Sequence, residues 1–210
     1  MGEESEIEEK EKYIIPSKGK TLMGYFLPSN SVVLAMIGIF GALVCFLTIF
    51  IIIPIPATEG YFNIGDIGVM IAGMLFGPIV GAIAGGVGSA IADMIFAPHY
   101  AIPTLIIKGL EGFVIGLITN PRKNYKKFNY RDIIAVIIGG LIIVSGYFIY
   151  QLFTYGLVYA LVEVPINIFQ SVIAATSALV FAKTVRRKII DGLPEAFEKI
   201  FILDLSEIKS

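Results

Sequence analysis

The chain has 210 residues, of which 56% are hydrophobic and 16% are charged, whereas about a quarter of the residues of a soluble domain are charged. This composition predicts an integral membrane protein rather than a soluble domain. The net charge of −1 and the lack of a basic motif give no indication of a nucleic-acid partner. With a single cysteine, Cys45, neither a disulfide within the chain nor a cysteine-based metal site is possible.

The chain begins with a polar leader, residues 1–30, rich in Glu and Lys. An apolar run follows at residues 31–53, long enough for one membrane helix because about 20 residues cross the hydrocarbon layer. The run ends at Pro54 and Pro56, where a helix does not easily continue. We therefore predict a first transmembrane helix after a cytoplasmic leader.

Residues 65–96 are apolar for more than thirty residues, which is long for one membrane helix and short for two. The basic residues decide between these possibilities. Of the 16 Lys and Arg, 15 lie in the leader, in the loop 122–131 or after residue 182. A single span at 65–96 would place the leader and that loop on opposite sides of the membrane, whereas two spans place all three segments in the cytoplasm, as the positive-inside bias requires.

We therefore predict two short helices, at about 65–76 and 79–96, joined by a tight hairpin at Gly77-Pro78. Small residues four apart, such as Gly81 and Gly85, would allow these helices to pack closely against their neighbours.

Three more apolar runs follow, at about residues 104–119, 132–159 and 165–182, with a break predicted at the segment VEVP, 162–165. The predicted fold is an all-α membrane protein with six transmembrane helices, both termini cytoplasmic. It divides into a leader, residues 1–30, a membrane domain, 31–184, and a basic amphipathic tail, 185–210. No P-loop or catalytic motif is present, so we predict neither an ATPase nor an enzyme, and no cofactor or metal.

Four ionisable residues lie within the predicted membrane helices: Asp66, Asp93, Lys108 and Glu111. Such residues are costly in a membrane and are usually paired or functional. Asp93 and Lys108 are at similar depths below the outer surface, which predicts an ion pair between them. Lys108 and Glu111 are three residues apart on one helix and form an alternative pair. The sequence leaves open whether these charges only lock the helices or also contact a ligand.

The outer half of the predicted bundle collects polar and aromatic side chains. Asn167 and Gln170 are three residues apart on one helix, and amides in an apolar helix need partners, either neighbouring helices or a ligand. A polar, aromatic pocket open only to the outside suits a flat, hydrogen-bonding small molecule. The predicted substrate-binding residues are Glu59, Tyr61, Asn63, Lys108, Tyr147, Gln151, Tyr155, Asn167 and Gln170.

The first helix carries a stripe of small residues at spacings of four and three. Its members are Ser31, Ala35, Gly38, Ala42 and Cys45. Such a stripe allows close helix packing, either inside the bundle or against a partner subunit.

Three segments in order resemble the S component of an energy-coupling factor (ECF) vitamin transporter. They are IPATEGYFNIGDIGVMIAGMLFGPIVGAIAGGVGSAIADMIF, PTLIIKGLEGFVIGLI and EVPINIFQ. The sequence is most similar to the branch of riboflavin, hydroxymethylpyrimidine and pyridoxine-type S components, over residues 31–182.

The resemblance implies a six-helix subunit of the plasma membrane that captures a vitamin or vitamin precursor from outside. It also implies a transmembrane T component and two cytoplasmic ATPases as partners, with the T component docking on Ser31, Ala35, Gly38 and Ala42 of the first helix. A stand-alone secondary transporter is the alternative, although the two halves show no convincing repeat. A small membrane enzyme would have only Asp93, His99 and Glu163 as catalytic candidates.

Overall fold

The computed structural model describes residues 20–124 and 128–202. Six long helices make up most of this part of the chain. They are α1 Ser31–Phe50, α2 Gly65–Phe76, α3 Pro78–Phe96, α4 Ala101–Thr119, α5 Tyr130–Thr154 and α6 Leu157–Thr184. Two short helices follow, α7 Arg186–Gly192 and α8 Pro194–Glu198, and a single helical turn, Pro121–Asn124, lies between α4 and α5.

The break between α2 and α3 lies at Gly77, where the sequence predicted the hairpin. Gly77 has a φ of 86°, which is in the left-handed region that glycine adopts without steric cost. Pro78 is the first residue of α3, a position at which the missing N–H is not needed. A glycine that turns the chain and a proline that starts the next helix thus separate the two predicted helices.

Five of the long helices are long and apolar enough to cross a membrane, and α2 is the exception with 12 residues. Ten residues of α2 are buried, so neighbouring helices surround it. A helix this short spans about 18 Å at 1.5 Å per residue, which is less than the thickness of the hydrocarbon layer. Burial by protein removes the need for α2 to match that thickness.

Glycines bring α3 and α4 into direct backbone contact. A Cβ atom added at Gly81 of α3 would lie 2.6 Å from the carbonyl oxygen of Gly112 on α4, far inside van der Waals contact. No other residue fits at this crossing without moving the helices apart. Gly81 therefore acts in packing between helices, as its small neighbours in the sequence predicted.

The predicted break at residues 162–165 is wrong. Helix α6 begins at Leu157 and continues through Pro165, because a membrane helix tolerates an internal proline when neighbouring helices shelter the freed carbonyl. The turn instead occurs at Gly156, which has a φ of 92°. As a result, Glu163 lies within α6, and its side chain is buried with 5% of its surface exposed.

The two ends of the bundle differ in character. One end, called here the loop end, carries an antiparallel hairpin of strands β3, Ile53–Ile55, and β4, Gly60–Phe62. It also carries the 3-10 turn Pro98–Tyr100 and the Tyr155–Gly156 connection. The opposite end, called the tail end, carries α7 and α8. It also carries a small antiparallel hairpin of strands β1, Thr21–Leu22, and β2, Tyr25–Phe26.

Aromatic residues from both chain termini pack together at the tail end. Tyr25 meets Phe201 edge to face, with ring centroids 5.9 Å apart, and Phe76 of α2 stacks on Phe197 of α8. Burial raises the pKa of Tyr25 to about 12, against the opposing effect of the Arg122 guanidinium. The described parts of the leader and tail thus share one core with the membrane helices, while residues 1–19 and 203–210 lie outside the described residues.

A buried ion pair fixes the start of the tail. Arg186 of α7 donates two hydrogen bonds to Asp132 of α5, at 2.8 and 2.9 Å, and both side chains are 1% exposed. Asp132 also caps α5 by accepting from the backbone N–H of Asn129. The tail is therefore attached to the membrane helices by a specific contact as well as by apolar packing.

Candidate functional site

A cavity of about 340 Å³, including its open mouth, lies among the helices at the loop end. Residues from β4, α3, α4, α5, α6 and the turn before α4 line it. They are Gly60, Tyr61, Asn63, Asp93, Tyr100, Thr104, Tyr147, Glu163, Asn167 and Gln170.

A hydrogen-bonded network of buried polar residues joins α2, α4 and α6 beside this cavity. Lys108 forms an ion pair with Asp66, with Nζ 2.8 Å from Oδ1, and the two side chains are 1% and 0% exposed. Gln170 donates from Nε2 to Asp66 Oδ2 at 2.6 Å. The carboxylate of Asp66 therefore holds one cation and one amide from two different helices.

Asn63 connects this network to the segment that follows the β3–β4 hairpin. Its Oδ1 accepts from Lys108 Nζ at 3.2 Å and from the backbone N–H of Gly65 at 2.9 Å. Its own backbone N–H donates to Gln170 Oε1 at 3.0 Å. The start of α2 is thus held by side chains of α4 and α6, which places β4 at the mouth of the cavity.

Two carboxylates in the cavity wall are held by hydroxyl groups of the loop end. The Tyr61 hydroxyl donates to Asp93, and the Thr58 hydroxyl donates to Glu163. Burial raises the pKa of Tyr61, and the neighbouring Asp93 carboxylate raises it further. Tyr61 therefore stays protonated and remains a donor to Asp93.

Polar atoms in and beside the cavity are left without a hydrogen-bond partner among the described residues. Asn167 is 6% exposed, and its Nδ2 has no acceptor there. Gln151 donates from Nε2 to the Tyr100 hydroxyl at 3.3 Å, while its Oε1 has no donor. Buried polar groups without partners are rare in folded proteins, so these atoms mark places where a bound molecule could complete the hydrogen bonding.

Five of the nine predicted substrate-binding residues line the cavity, namely Tyr61, Asn63, Tyr147, Asn167 and Gln170. The other four do not: Glu59, Lys108, Gln151 and Tyr155. Lys108 and Gln151 nevertheless bond to lining residues, whereas Glu59 is exposed on the loop.

The lining residues Gly60, Tyr100 and Thr104 were not predicted, and Glu163 was considered only for a rival enzyme. A spacing signal was available for most of these residues. Thr104 precedes Lys108 by four and so shares its helix face, and Tyr100 lies four residues before Thr104, in the turn that leads into α4. Glu163 precedes Asn167 by four and extends the face of Asn167 and Gln170 in the same way.

The predicted ion pair between Asp93 and Lys108 is wrong, as is the alternative with Glu111. Lys108 pairs with Asp66, and Asp93 accepts from Tyr61 instead. Glu111 is fully buried, and its two carboxylate oxygens have no hydrogen-bond partner among the described residues. The pairing was predicted from the depth of each residue below the outer surface. Depth alone does not determine which face of its helix a charged side chain occupies.

The small-residue stripe of α1 faces away from the bundle. Ser31, Ala35, Gly38 and Ala42 are exposed, and Cys45 is partly buried. The inward face of α1 instead uses Val33, Val44 and Thr48. The four exposed positions therefore face outward, towards lipid or another protein, rather than towards the other helices of this chain.

Comparison with known proteins shows what kind of protein carries this cavity. The profile of the family described as ECF-type riboflavin transporter, S component, matches residues 29–187. The chain belongs to this family. It is thus a substrate-binding subunit of a vitamin transporter and a multi-pass protein of the plasma membrane, as the resemblance implied. The members of the family are transport subunits and not enzymes.

Two relatives illustrate the similarity. The thiamine precursor transporter HmpT of Lactococcus lactis subsp. cremoris (strain MG1363) is 30% identical over 166 residues, which are 78% of this chain and 93% of the relative. An uncharacterized protein in a gap 3' region of Pyrococcus woesei is 43% identical over 125 residues, which are 60% of this chain and 82% of the relative.

Proposed function

We propose that this S component captures a small, single-ring vitamin or vitamin precursor from outside in the loop-end cavity. A T component and two cytoplasmic ATPases then complete its import. The observation that carries the proposal is the cavity itself, in which Nδ2 of the buried Asn167 lies among tyrosine and carboxylate side chains and has no hydrogen-bond partner in the described part of the chain. HmpT, named as a thiamine precursor transporter, is a relative consistent with a single-ring ligand.

The experiment that tests this function is the identification of small molecules that remain bound to the protein. The chain is purified gently in mild detergent, the bound molecules are released by denaturation, and mass spectrometry identifies them. We expect one single-ring nitrogen heterocycle in a stoichiometric amount. Recovery of a flavin would contradict the single-ring ligand, and recovery of no ligand together with no binding of any vitamin would contradict the function.

The proposed orientation places the loop end outside and the tail end in the cytoplasm, with six spans. It is supported by the basic side chains, because the described Lys and Arg other than Lys108 lie towards the tail end. Tyr130 at that end is 71% exposed, and His99 at the loop end is also exposed.

We expect an impermeant maleimide to label a cysteine at position 99, but not one at position 130, in intact cells. Each is introduced singly as His99→Cys or Tyr130→Cys into a Cys45→Ala background. Permeabilised cells serve as the control in which both positions react. Labelling of position 130 in intact cells would exclude this orientation.

Asn167→Ala is expected to weaken ligand binding without weakening the fold. Because its Nδ2 has no partner within the described protein, the truncation removes a bond to the ligand alone, worth ~1–3 kcal/mol, or roughly a 5- to 150-fold loss of affinity. Binding of the co-purified molecule to the purified variant is measured by calorimetry.

The matched control is Ser171→Ala on the same helix. Its hydroxyl is also buried and without a hydrogen-bond partner among the described residues, but Ser171 does not line the cavity. We expect its affinity to be unchanged. An Asn167→Ala protein that binds as tightly as the Ser171→Ala protein would place the ligand elsewhere.

A further inference from the structure

The cavity wall carries two acidic residues and no basic residue. Of its ten lining residues, Asp93 and Glu163 are acids, and none is Lys, Arg or His. The ammonium of Lys108, which contacts the lining residue Asn63, is paired with Asp66 at 2.8 Å. Its direct ion pair is therefore with Asp66, and among the described residues neither carboxylate of the wall has a cation at ion-pair distance.

The partners of these two carboxylates are neutral. Asp93 accepts from the hydroxyl of Tyr61, and Glu163 accepts from the hydroxyl of Thr58. A hydroxyl donor stabilises a carboxylate but does not cancel its charge, and a charge of low exposure is costly unless a counter-charge is near. Asp93 and Glu163 are each 5% exposed, so a cationic group on the ligand would supply what the wall lacks.

Two further features of the wall point to the same kind of ligand. The rings of Tyr61, Tyr100 and Tyr147 line the cavity, and a cation is attracted to the face of an aromatic ring. Nδ2 of Asn167, which is buried in the same wall and has no partner within residues 20–124 and 128–202, supplies one donor for a ligand acceptor. The wall thus offers acceptors at its carboxylates and a donor at Asn167.

We propose that the ligand is an amine-bearing or cationic nitrogen heterocycle, with its nitrogen donor directed at Asp93 and Glu163 and a ring acceptor facing Asn167. This inference rests on the proposed function, because it assigns a chemical class to the substrate of the same cavity. It predicts discrimination between ligands of the same shape that differ only in an amino group.

Two matched pairs of probes test this discrimination. The first pair is 4-amino-5-hydroxymethyl-2-methylpyrimidine and its 4-hydroxy analogue, and the second is pyridoxamine and pyridoxine. Binding of each compound, and of riboflavin as a neutral probe, is measured by calorimetry with the purified full chain at one pH near neutrality. We expect the amino member of at least one pair to bind more tightly than its oxygen partner by roughly tenfold or more, the factor for one hydrogen bond to a charged group.

Neutral isosteres of the two acids separate charge recognition from structural support. In Asp93→Asn and Glu163→Gln, an amide oxygen can still accept from Tyr61 or Thr58, so the local hydrogen bonds are retained while the charge is lost. We expect the ratio of affinities within the pair to fall towards one. Glu59→Gln, which removes an exposed carboxylate of the same loop outside the cavity, is expected to leave that ratio unchanged.

The outcomes distinguish this inference from the function on which it rests. Equal or tighter binding of the oxygen partners or of riboflavin would overturn the amine-bearing ligand and leave vitamin capture intact. A preference for the amine that survives both Asp93→Asn and Glu163→Gln would overturn the role of these two carboxylates. If none of the five compounds binds, the inference is overturned, whereas vitamin capture itself is decided by the molecules that co-purify with the protein.

Discussion

Replacing Lys108 with methionine is expected to destabilise the folded protein by about 3–5 kcal/mol, since it leaves the Asp66 carboxylate as an unpaired buried charge. The ion pair lies where α2, α4 and α6 meet, and its two side chains are 1% and 0% exposed. Methionine has a similar length and no charge, so steric changes contribute little. The thermal midpoint and the monodisperse yield in detergent measure the effect, and we expect most of the variant to aggregate.

Two double variants identify the partner of Lys108. In Lys108→Met/Asp66→Asn the stranded charge is removed, while the amide oxygen can still accept from Gln170, so part of the stability should return. In Lys108→Met/Asp93→Asn the Asp66 carboxylate remains unpaired, and we expect no recovery. Recovery with Asp93→Asn but not with Asp66→Asn would show that Lys108 pairs with Asp93 in the membrane.

The helices were predictable because a membrane imposes simple rules on sequence. Charged residues mark the ends of apolar runs, and the distribution of Lys and Arg required two helices within residues 65–96. The Gly77-Pro78 pair then fixed the turn between them, and the structure places it there. Local sequence was sufficient in this case because both residues have strong conformational preferences of their own.

The start of α6 was not predictable in the same way. Local sequence rules predict that a helix ends before Pro165. In the structure α6 continues through Pro165, and the turn is at Gly156. Whether a proline ends a helix in a membrane depends on what surrounds the freed carbonyl, and that is a property of the packed bundle. This single error placed Glu163 in a loop and hid its position in the cavity wall.

The sequence indicated which residue types belong to the site, but only partly which hydrogen-bond partner each of them has. The two amides Asn167 and Gln170 were expected to need partners, and the structure gives them different ones. Gln170 bonds to Asp66 and Asn63, whereas Nδ2 of Asn167 has no partner among the described residues. Sequence spacing places side chains on a helix face, but the rotation of that helix in the bundle decides which neighbour each side chain meets.

The small-residue stripe of α1 shows what the structure adds to a pattern. From sequence, the stripe suits internal packing and a partner subunit equally. In the structure a Cβ atom added at Gly38 meets no atom within 4 Å, whereas one added at Gly41 would lie 3.8 Å from the carbonyl oxygen of Ala84. Because Gly38 faces outward and Gly41 faces the bundle, we propose the stripe as the surface on which the T component docks.

Gly38→Leu is therefore expected to impair assembly of the transporter and leave the subunit itself intact. The Cβ atom of the new side chain has no neighbour within 4 Å among the described residues. Overpacking of a tight helix contact with the partner costs about 1–3 kcal/mol, roughly a 5- to 150-fold weakening of association. Affinity purification of the tagged chain from cells that hold the whole transporter measures recovery of the T component and the ATPases. Uptake of the co-purified vitamin should fall in parallel.

The matched control is Ser145→Leu, which also adds bulk to an exposed small residue, on α5 rather than α1. We expect this variant to recover its partners and to transport as the unmodified chain does. Ligand affinity and thermal midpoint should be unchanged in both variants, because neither position touches the cavity. A Gly38→Leu protein that keeps its partners would remove the stripe from the docking surface, whereas one that loses ligand binding in detergent would show that α1 packs internally through Gly38.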